Sequence, residues 1–179
     1  MARFVSLFRG INVGGNHPVR MDELKALLES LGLRDVATYI QSGNVVFSGE
    51  DIDLAQLPAQ IEERFAQRFG FQARVIVRSA AELSEIIANN PFQGQPEKES
   101  KWTVVLFLSS PPGSAALEEL RQAYTGPEEY YLIGQELYIY YPNGQGRSKL
   151  TNTLLEKKLK TSGTARNWNT VLQLQKMLQ

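Results

Sequence analysis

Asp35-Val-Ala-Thr-Tyr-Ile-Gln-Ser-Gly-Asn-Val-Val-Phe-Ser48 is the stretch on which the reading of this chain turns. Asp35–Gln41 and Val45–Ser48 read as two short strands joined through Ser42-Gly43-Asn44, where Gly-Asn offers the positive φ of a tight hairpin. On its N-terminal side, Met21, Leu24, Leu27, Leu28 and Leu31 recur at helical intervals, and Gly32 stands where a helix ends. Farther out, Arg3–Arg9 is a short apolar run that suits a buried strand. On its C-terminal side, Leu54, Leu57, Ile61, Phe65 and Phe69 mark a second helix closed by Gly70, and Gln72–Arg78 reads as another strand.

Strand, helix, hairpin, helix, strand is the split β-α-β arrangement of ferredoxin-like folds. Ser79–Asn90 then reads as a connecting helix, with Ser79 as N-cap and Glu82 completing a capping box. Pro91–Ser100 is polar and rich in Pro and Gly, as linkers are. Beyond it, strand Trp102–Leu108, helix Ser114–Tyr124, strands Glu129–Ile133 and Leu137–Tyr141, and helices from Lys149 and from Asn167 partly repeat the first order. The expected fold class is α+β: two tandem ferredoxin-like halves with antiparallel sheets and extra C-terminal helices. Residues 1–90 form the first half, 91–100 a linker, and 101–179 the second half.

The composition narrows the chemistry. The chain has 179 residues, 42% of them hydrophobic, which suffices for a core without metal or disulfide. It has no cysteine and one histidine, so a thiolate nucleophile, iron–sulfur ligation and a structural zinc cluster are excluded. The opening MARFVSLFRG is too short in apolar residues for a signal peptide, and no run approaches a membrane span, so the expected location is the cytoplasm with no membrane partner.

The balanced 19 basic and 19 acidic residues conceal a gradient. From Gln145 onward, Arg147, Lys149, Lys157, Lys158, Lys160, Arg166 and Lys176 face the single acid Glu156, whereas Glu82–Glu136 is acidic. Charge runs commonly only solvate a surface, but an anionic partner would prefer the C-terminal part.

Four polar stretches stand out. The opening loop carries Arg9, Gly10, Asn12, Gly14, Gly15, Asn16, His17 and Arg20; its glycines suit turns, and also the close approach of a ligand to backbone N–H groups. Their spacing fits neither a P-loop nor a dinucleotide fingerprint. Gln41-Ser42-Gly43-Asn44 has turn chemistry, with Gln41 the odd residue. Pro142–Thr151 carries Arg147, Ser148 and Lys149 into a helix expected to hold Lys149 in its first turn, an unfavourable place for a cation unless an anion is near. Thr164–Asn169 offers Asn167 as an N-cap and Arg166 as a freer cation.

These stretches hold arginines, amides and hydroxyls in place of carboxylates, and His17 has no neighbouring acid or nucleophile. No metal-ligand spacing and no cofactor are read from them. A binding module for a small anionic ligand, such as a nucleotide or phosphorylated metabolite, is therefore the leading reading. Its candidate contacts are Arg9, Asn12, Gly14, Gly15, Gln41, Ser42, Asn44, Arg147, Lys149, Arg166 and Asn167. Single-stranded RNA binding on an open sheet face through Phe4, Phe8 and Phe47 is the alternative. A transferase-type enzyme would need an acid or base not evident here, with Asp22 or Glu23 the nearest candidates. Nothing indicates an oligomeric state.

The blocks FRGINVGG with Met21-x-x-Leu24, Thr38–Phe47 (TYIQSGNVVF), Ser148–Leu159 (SKLTNTLLEKKL) and Thr164–Val171 (TARNWNTV) closely resemble the hallmarks of a bacterial family known as domain of unknown function sixteen ninety-seven. The resemblance implies an α+β fold with ferredoxin-like halves. It brings no activity, substrate or cofactor. It places Arg9, Gly10, Asn12, Gly14, Gly15, Gln41, Ser42, Gly43, Asn44, Arg166, Asn167 and Trp168 in signature blocks.

Overall fold

A computed structural model describes residues 1–15 and 17–179. The chain divides into two compact units, residues 1–84 with 173–179, and residues 85–172. In the first unit, β1 (Ala2–Phe8), α1 (Met21–Ser30), β2 (Arg34–Tyr39), β3 (Asn44–Gly49), α2 (Leu57–Phe69) and β4 (Val75–Ser79) follow one another. Then α3 (Ala80–Ala88) leads on to β5 (Thr103–Leu108), α4 (Ala116–Ala123), β6 (Glu129–Ile133), β7 (Glu136–Tyr140), α5 (Asn152–Leu159), β8 (Gly163–Asn167) and α6 (Trp168–Met177). The two sheets are antiparallel and four-stranded, ordered β2-β3-β1-β4 and β6-β7-β5-β8. The β-α-β-β-α-β order thus occurs twice; the tandem α+β plan is as expected, but β8 is an addition, because Gly163–Asn167 reads from sequence as the polar approach to the last helix.

Local signals set most boundaries. Glu82 N–H donates to Ser79 Oγ at 3.1 Å and Ser79 N–H to Glu82 Oε1 at 2.8 Å, the reciprocal capping box of α3. Gly70, at φ +79°, closes α2 in the left-handed conformation that glycine adopts without strain. The start of α2 differs from its periodicity, which points to Leu54. Asp53 Oδ1 accepts from Ala55 N–H and Asp53 O from Leu57 N–H, so a turn occupies 53–56, and Pro58 then suits the first helical turn.

In a strand, successive side chains alternate between faces. Phe4 and Phe8 of β1, Val45 and Phe47 of β3, and Val75 and Val77 of β4 enter one core with Leu24 and Leu28 of α1 and Ile61 and Phe65 of α2. The rings of Phe4 and Phe47 stack at 5.6 Å. These three phenylalanines are therefore core residues at 5%, 0% and 0% exposure, which removes the proposed RNA-stacking platform. The second unit repeats the plan with Val104, Leu106, Leu108, Leu137 and Ile139 against Leu120, Leu155 and Leu159.

The repeat extends to single residues. Val5 pairs with Arg78 between β1 and β4, and Val105 with Arg166 between β5 and β8. Both arginines are buried, and each is followed by a residue that caps the next helix, Ser79 for α3 and Asn167 for α6.

Candidate functional site

The opening loop is held at both ends by buried apolar anchors, Ile11 and Val19. Between them, Asn12 acts as a clamp: its Nδ2 donates to Val19 O at 3.0 Å and to Gln41 O at 2.8 Å, while Val19 N–H donates to its Oδ1 at 2.6 Å. That side chain is committed to joining the loop to the hairpin. Phe8 N–H donates to Gly43 O at 2.9 Å, a second tie between the same segments. Gly10, Gly14 and Gly15 all have positive φ and lie in open space, so this stretch of backbone is unshielded by side chains. The exposed His17 ring stacks on Phe71 with centroids 4.3 Å apart. Asn16 lies outside the described residues.

The hairpin differs from its sequence reading. Asn44 is the first residue of β3, opposite Leu7 and Tyr39, and the connection is Ile40–Gly43, with positive φ at Ile40 and Gly43. Fully buried, Asn44 donates from Nδ2 to Tyr39 O at 3.0 Å and to Ser42 Oγ at 2.9 Å. Asn44 and Ser42 therefore brace the turn, while Gln41 is exposed.

Beside these loops lies an open cleft of about 580 Å³, lined by Asn12, Pro18, Val19, Arg20, Gln41 and the first turn of α1. The charges there are mixed. Arg20 pairs with Asp22 at 2.8 Å, and Arg68 reaches Glu23 at 3.2 Å, so both carboxylates have cationic neighbours. Arg9 is exposed at the end of β1, its N–H bound to Arg74 O at 2.9 Å.

In the second unit, α5 begins at Asn152 with Thr151 as N-cap, accepting from Leu154 N–H at 3.2 Å. The expected place of Lys149 in the first turn is thus corrected. A short 3₁₀ turn at Gln145–Arg147 and the extended Ser148 carry the chain past it, because Ser148 and Thr151 offer the capping hydroxyls that lysine lacks. Arg147 and Lys149 are exposed. Asn167 does cap the last helix, accepting from Asn169 N–H at 2.9 Å and donating to Lys101 O at 2.8 Å.

Arg166, expected to be a free cation, is 7% exposed on β8. Its Nη1 donates to Thr164 Oγ1 at 2.6 Å and Ala165 O at 2.9 Å, and burial lowers its guanidinium pKa to about 10. Alternation along β8 sets Arg166 beside Val105, on the sheet face opposite the one where Leu106 and Ala165 meet the core, and both residues are buried there; the sequence reading places no strand in this segment.

A node absent from the sequence reading joins Tyr124, Glu128 and Ser148. Tyr124 donates to Glu128 Oε2 at 2.7 Å and Ser148 Oγ to Glu128 Oε1 at 2.5 Å; Ser148 in turn accepts from Leu150 N–H at 3.0 Å. Desolvation works against the Glu128 charge, but the bonds from Ser148, Tyr124 and its own backbone outweigh it and hold the carboxyl below its ordinary value. Desolvation and the bond to Glu128 raise the Tyr124 phenol. A carboxyl so tuned stays ionised and is a poor proton donor at neutral pH; it serves as an anchor for the basic 142–151 loop.

Because the folded pKa of Glu128 lies below the unfolded one, its contribution to stability is complete above about pH 4.3 and is lost as the pH falls through the folded value. Glu128→Gln is therefore expected to destabilise the protein most at neutral pH and progressively less as the pH falls below about 4.3. Urea midpoints of wild type and variant across that range measure this. A difference that stays constant or grows in acid contradicts the assignment.

Among the described residues, no three His, Asp or Glu side chains are placed to hold a metal ion, and no helix is long and apolar enough to cross a membrane. The model for the family described as Protein of unknown function (DUF1697) matches residues 1–138. This chain belongs to that family. The match runs from β1 into β7 and includes the opening loop, the hairpin and Glu128, whereas Ser148 and Arg166 lie beyond it. The DUF1697 chain is also similar to a solved structure of a conserved bacterial protein from Streptococcus pneumoniae, at 26% identity and a TM-score of 0.76 over 99% of each chain. No curated protein matches it.

Proposed function

We propose that this protein is a binding module for a small anionic ligand, of the nucleotide or phosphorylated-metabolite class, seated at the cleft of the first unit. The observation that carries the reading is the convergence of the opening loop, the hairpin and the start of α1 on one cleft of about 580 Å³. Such a volume suits a small molecule. Within the lining, Arg20 supplies charged donors for an anionic group, and Gln41 with Asp22 and Glu23 supplies acceptors for hydroxyl or amino groups; Arg9, Gly14 and Gly15 of the same opening loop are further candidate donors. A ligand carrying both kinds of group fits this mixed lining better than a bare anion. Arg147 and Lys149, exposed in the second unit, form a separate candidate anion contact. Asn12, Ser42 and Asn44 brace the loops of the cleft, and Arg166 braces β8 in the second unit, because their hydrogen bonds run to the protein's own groups.

Thermal shifts with inorganic phosphate, nucleotides, sugar phosphates, coenzyme A derivatives and short RNA test this. A ligand at about one hundred times its Kd adds roughly 2.7 kcal/mol, which for a chain of this size raises Tm by about 5–10 °C. The expected result is such a shift with one phosphorylated class, lost in Arg20→Ala and Gln41→Ala. No shift with any compound, or a shift untouched by both substitutions, overturns the cleft.

A further inference from the structure

Each sheet places the first strand of its hairpin at one edge, β2 in the first unit and β6 in the second. The two edges differ. β2 shifts register between Arg34 and Ala37, and Asp35 has φ +50°, so its outer edge is kinked. Such irregularities keep edge strands from pairing with another chain. β6 instead pairs with β7 without interruption, from Glu129 opposite Tyr140 to Ile133 opposite Glu136, and among the described residues no strand lies on its other side. On this edge Tyr131 is 47% and Ile133 37% exposed.

We propose that β6 is a homodimerisation edge, pairing antiparallel with the β6 of a second copy about a two-fold axis at Tyr131. The register follows from the hairpin. A two-residue connection, Gly134-Gln135, makes Ile133 and Glu136 a hydrogen-bonded pair, and alternation then turns the N–H and C=O groups of Tyr130 and Leu132 away from β7. Antiparallel pairing centred on Tyr131 sets Tyr130 opposite the partner's Leu132 and Leu132 opposite the partner's Tyr130. All the outward groups of the strand's interior are used twice over.

The side chains agree with that register. Tyr130 and Leu132, which pack on the core of the second unit and are only half-buried there, meet their counterparts on the same face. On the other face Tyr131 lies against the partner's Tyr131, and Glu129 against the partner's Ile133. The two Glu129 carboxylates fall four residues apart along the strand, about 14 Å, beyond the screening length of about 8 Å at physiological salt. Each Glu129 is also paired with Lys98 of its own chain at 2.7 Å, so its charge is compensated, and two four-stranded sheets join into one.

The test is the mass of the full chain by light scattering during gel filtration, from micromolar to millimolar concentration. The expected result is a concentration-dependent rise toward twice 20.1 kDa. Tyr131→Lys should be monomeric, as should Tyr131→Glu, and mixing the two should restore the dimer. Leu132→Pro, which removes an N–H turned away from β7 and so no bond of the chain's own sheet, should weaken the dimer about tenfold or more. Circular dichroism confirms that each variant is folded, and Leu132→Pro keeps the test decisive if the Tyr131 variants are not. A monomer at every concentration, an assembly larger than two, or a Leu132→Pro dimer as tight as wild type overturns the proposal.

Discussion

Gly43→Ala lowers the stability of the protein by about 2–5 kcal/mol, with the hairpin loop lifted from β1. At φ +88° the backbone of Gly43 is in the left-handed region, which costs an L-residue roughly 1–2 kcal/mol. The added Cβ would also stand 2.7 Å from Phe8 Cβ and 2.8 Å from Ile11 Cδ1. Phe8 Cβ cannot swing aside, because it is fixed to a central strand and its ring packs 5.6 Å from that of Phe65. Ile11 is 1% exposed and has little room to turn. Overpacking of this kind adds about 1–3 kcal/mol.

Gly14→Ala is the control. Its φ is +59° and nothing lies within 4 Å of the new methyl, so only the conformational cost of about 1–2 kcal/mol applies. Urea unfolding of both variants separates the two contributions. Equal losses would mean that the hairpin is not packed down on β1, and the cleft between Asn12 and Gln41 would lose its floor. If the hairpin does lift, Gly43→Ala should also weaken any ligand that Gln41→Ala weakens, since the Phe8–Gly43 and Asn12–Gln41 bonds hold the same loop.

What the sequence discloses is governed by distance along the chain. The Ser79–Glu82 capping box and the helix end at Gly70 are legible because the interacting groups lie within one turn of each other. Asn44 misleads for a related reason: its type belongs to turns and its side chain does brace one, yet its backbone is already in the β3 ladder. The start of α5 slips because two hydroxyl residues, Ser148 and Thr151, compete for the cap, and only the former's bond to Glu128 removes it from contention. That bond spans 20 residues of sequence. The clamp from Asn12 to Gln41 spans 29, so the opening loop and the hairpin look like separate polar stretches until the sheet brings them together.

Arg166 is the residue whose sequence reading and structural role are furthest apart, and its substitution is the second large effect. Truncation to alanine is expected to cost about 2–4 kcal/mol, because it opens a cavity in a buried strand and withdraws the donor from Thr164 Oγ1 and Ala165 O. Arg166→Met should cost less than Arg166→Ala, since it restores most of the volume and leaves only the polar loss. Arg147→Ala and Lys149→Ala, both at exposed positions, should stay within about 0.5 kcal/mol of wild type. Chemical denaturation of the four variants without ligand provides the comparison. An Arg166→Ala protein as stable as the Lys149→Ala protein would show that the guanidinium contributes nothing to the fold. In the expected case Arg166→Ala is unsuitable as a binding-site variant: any ligand effect it abolishes would be indistinguishable from loss of the folded state, whereas the exposed Arg147 and Lys149 can be removed to probe binding alone.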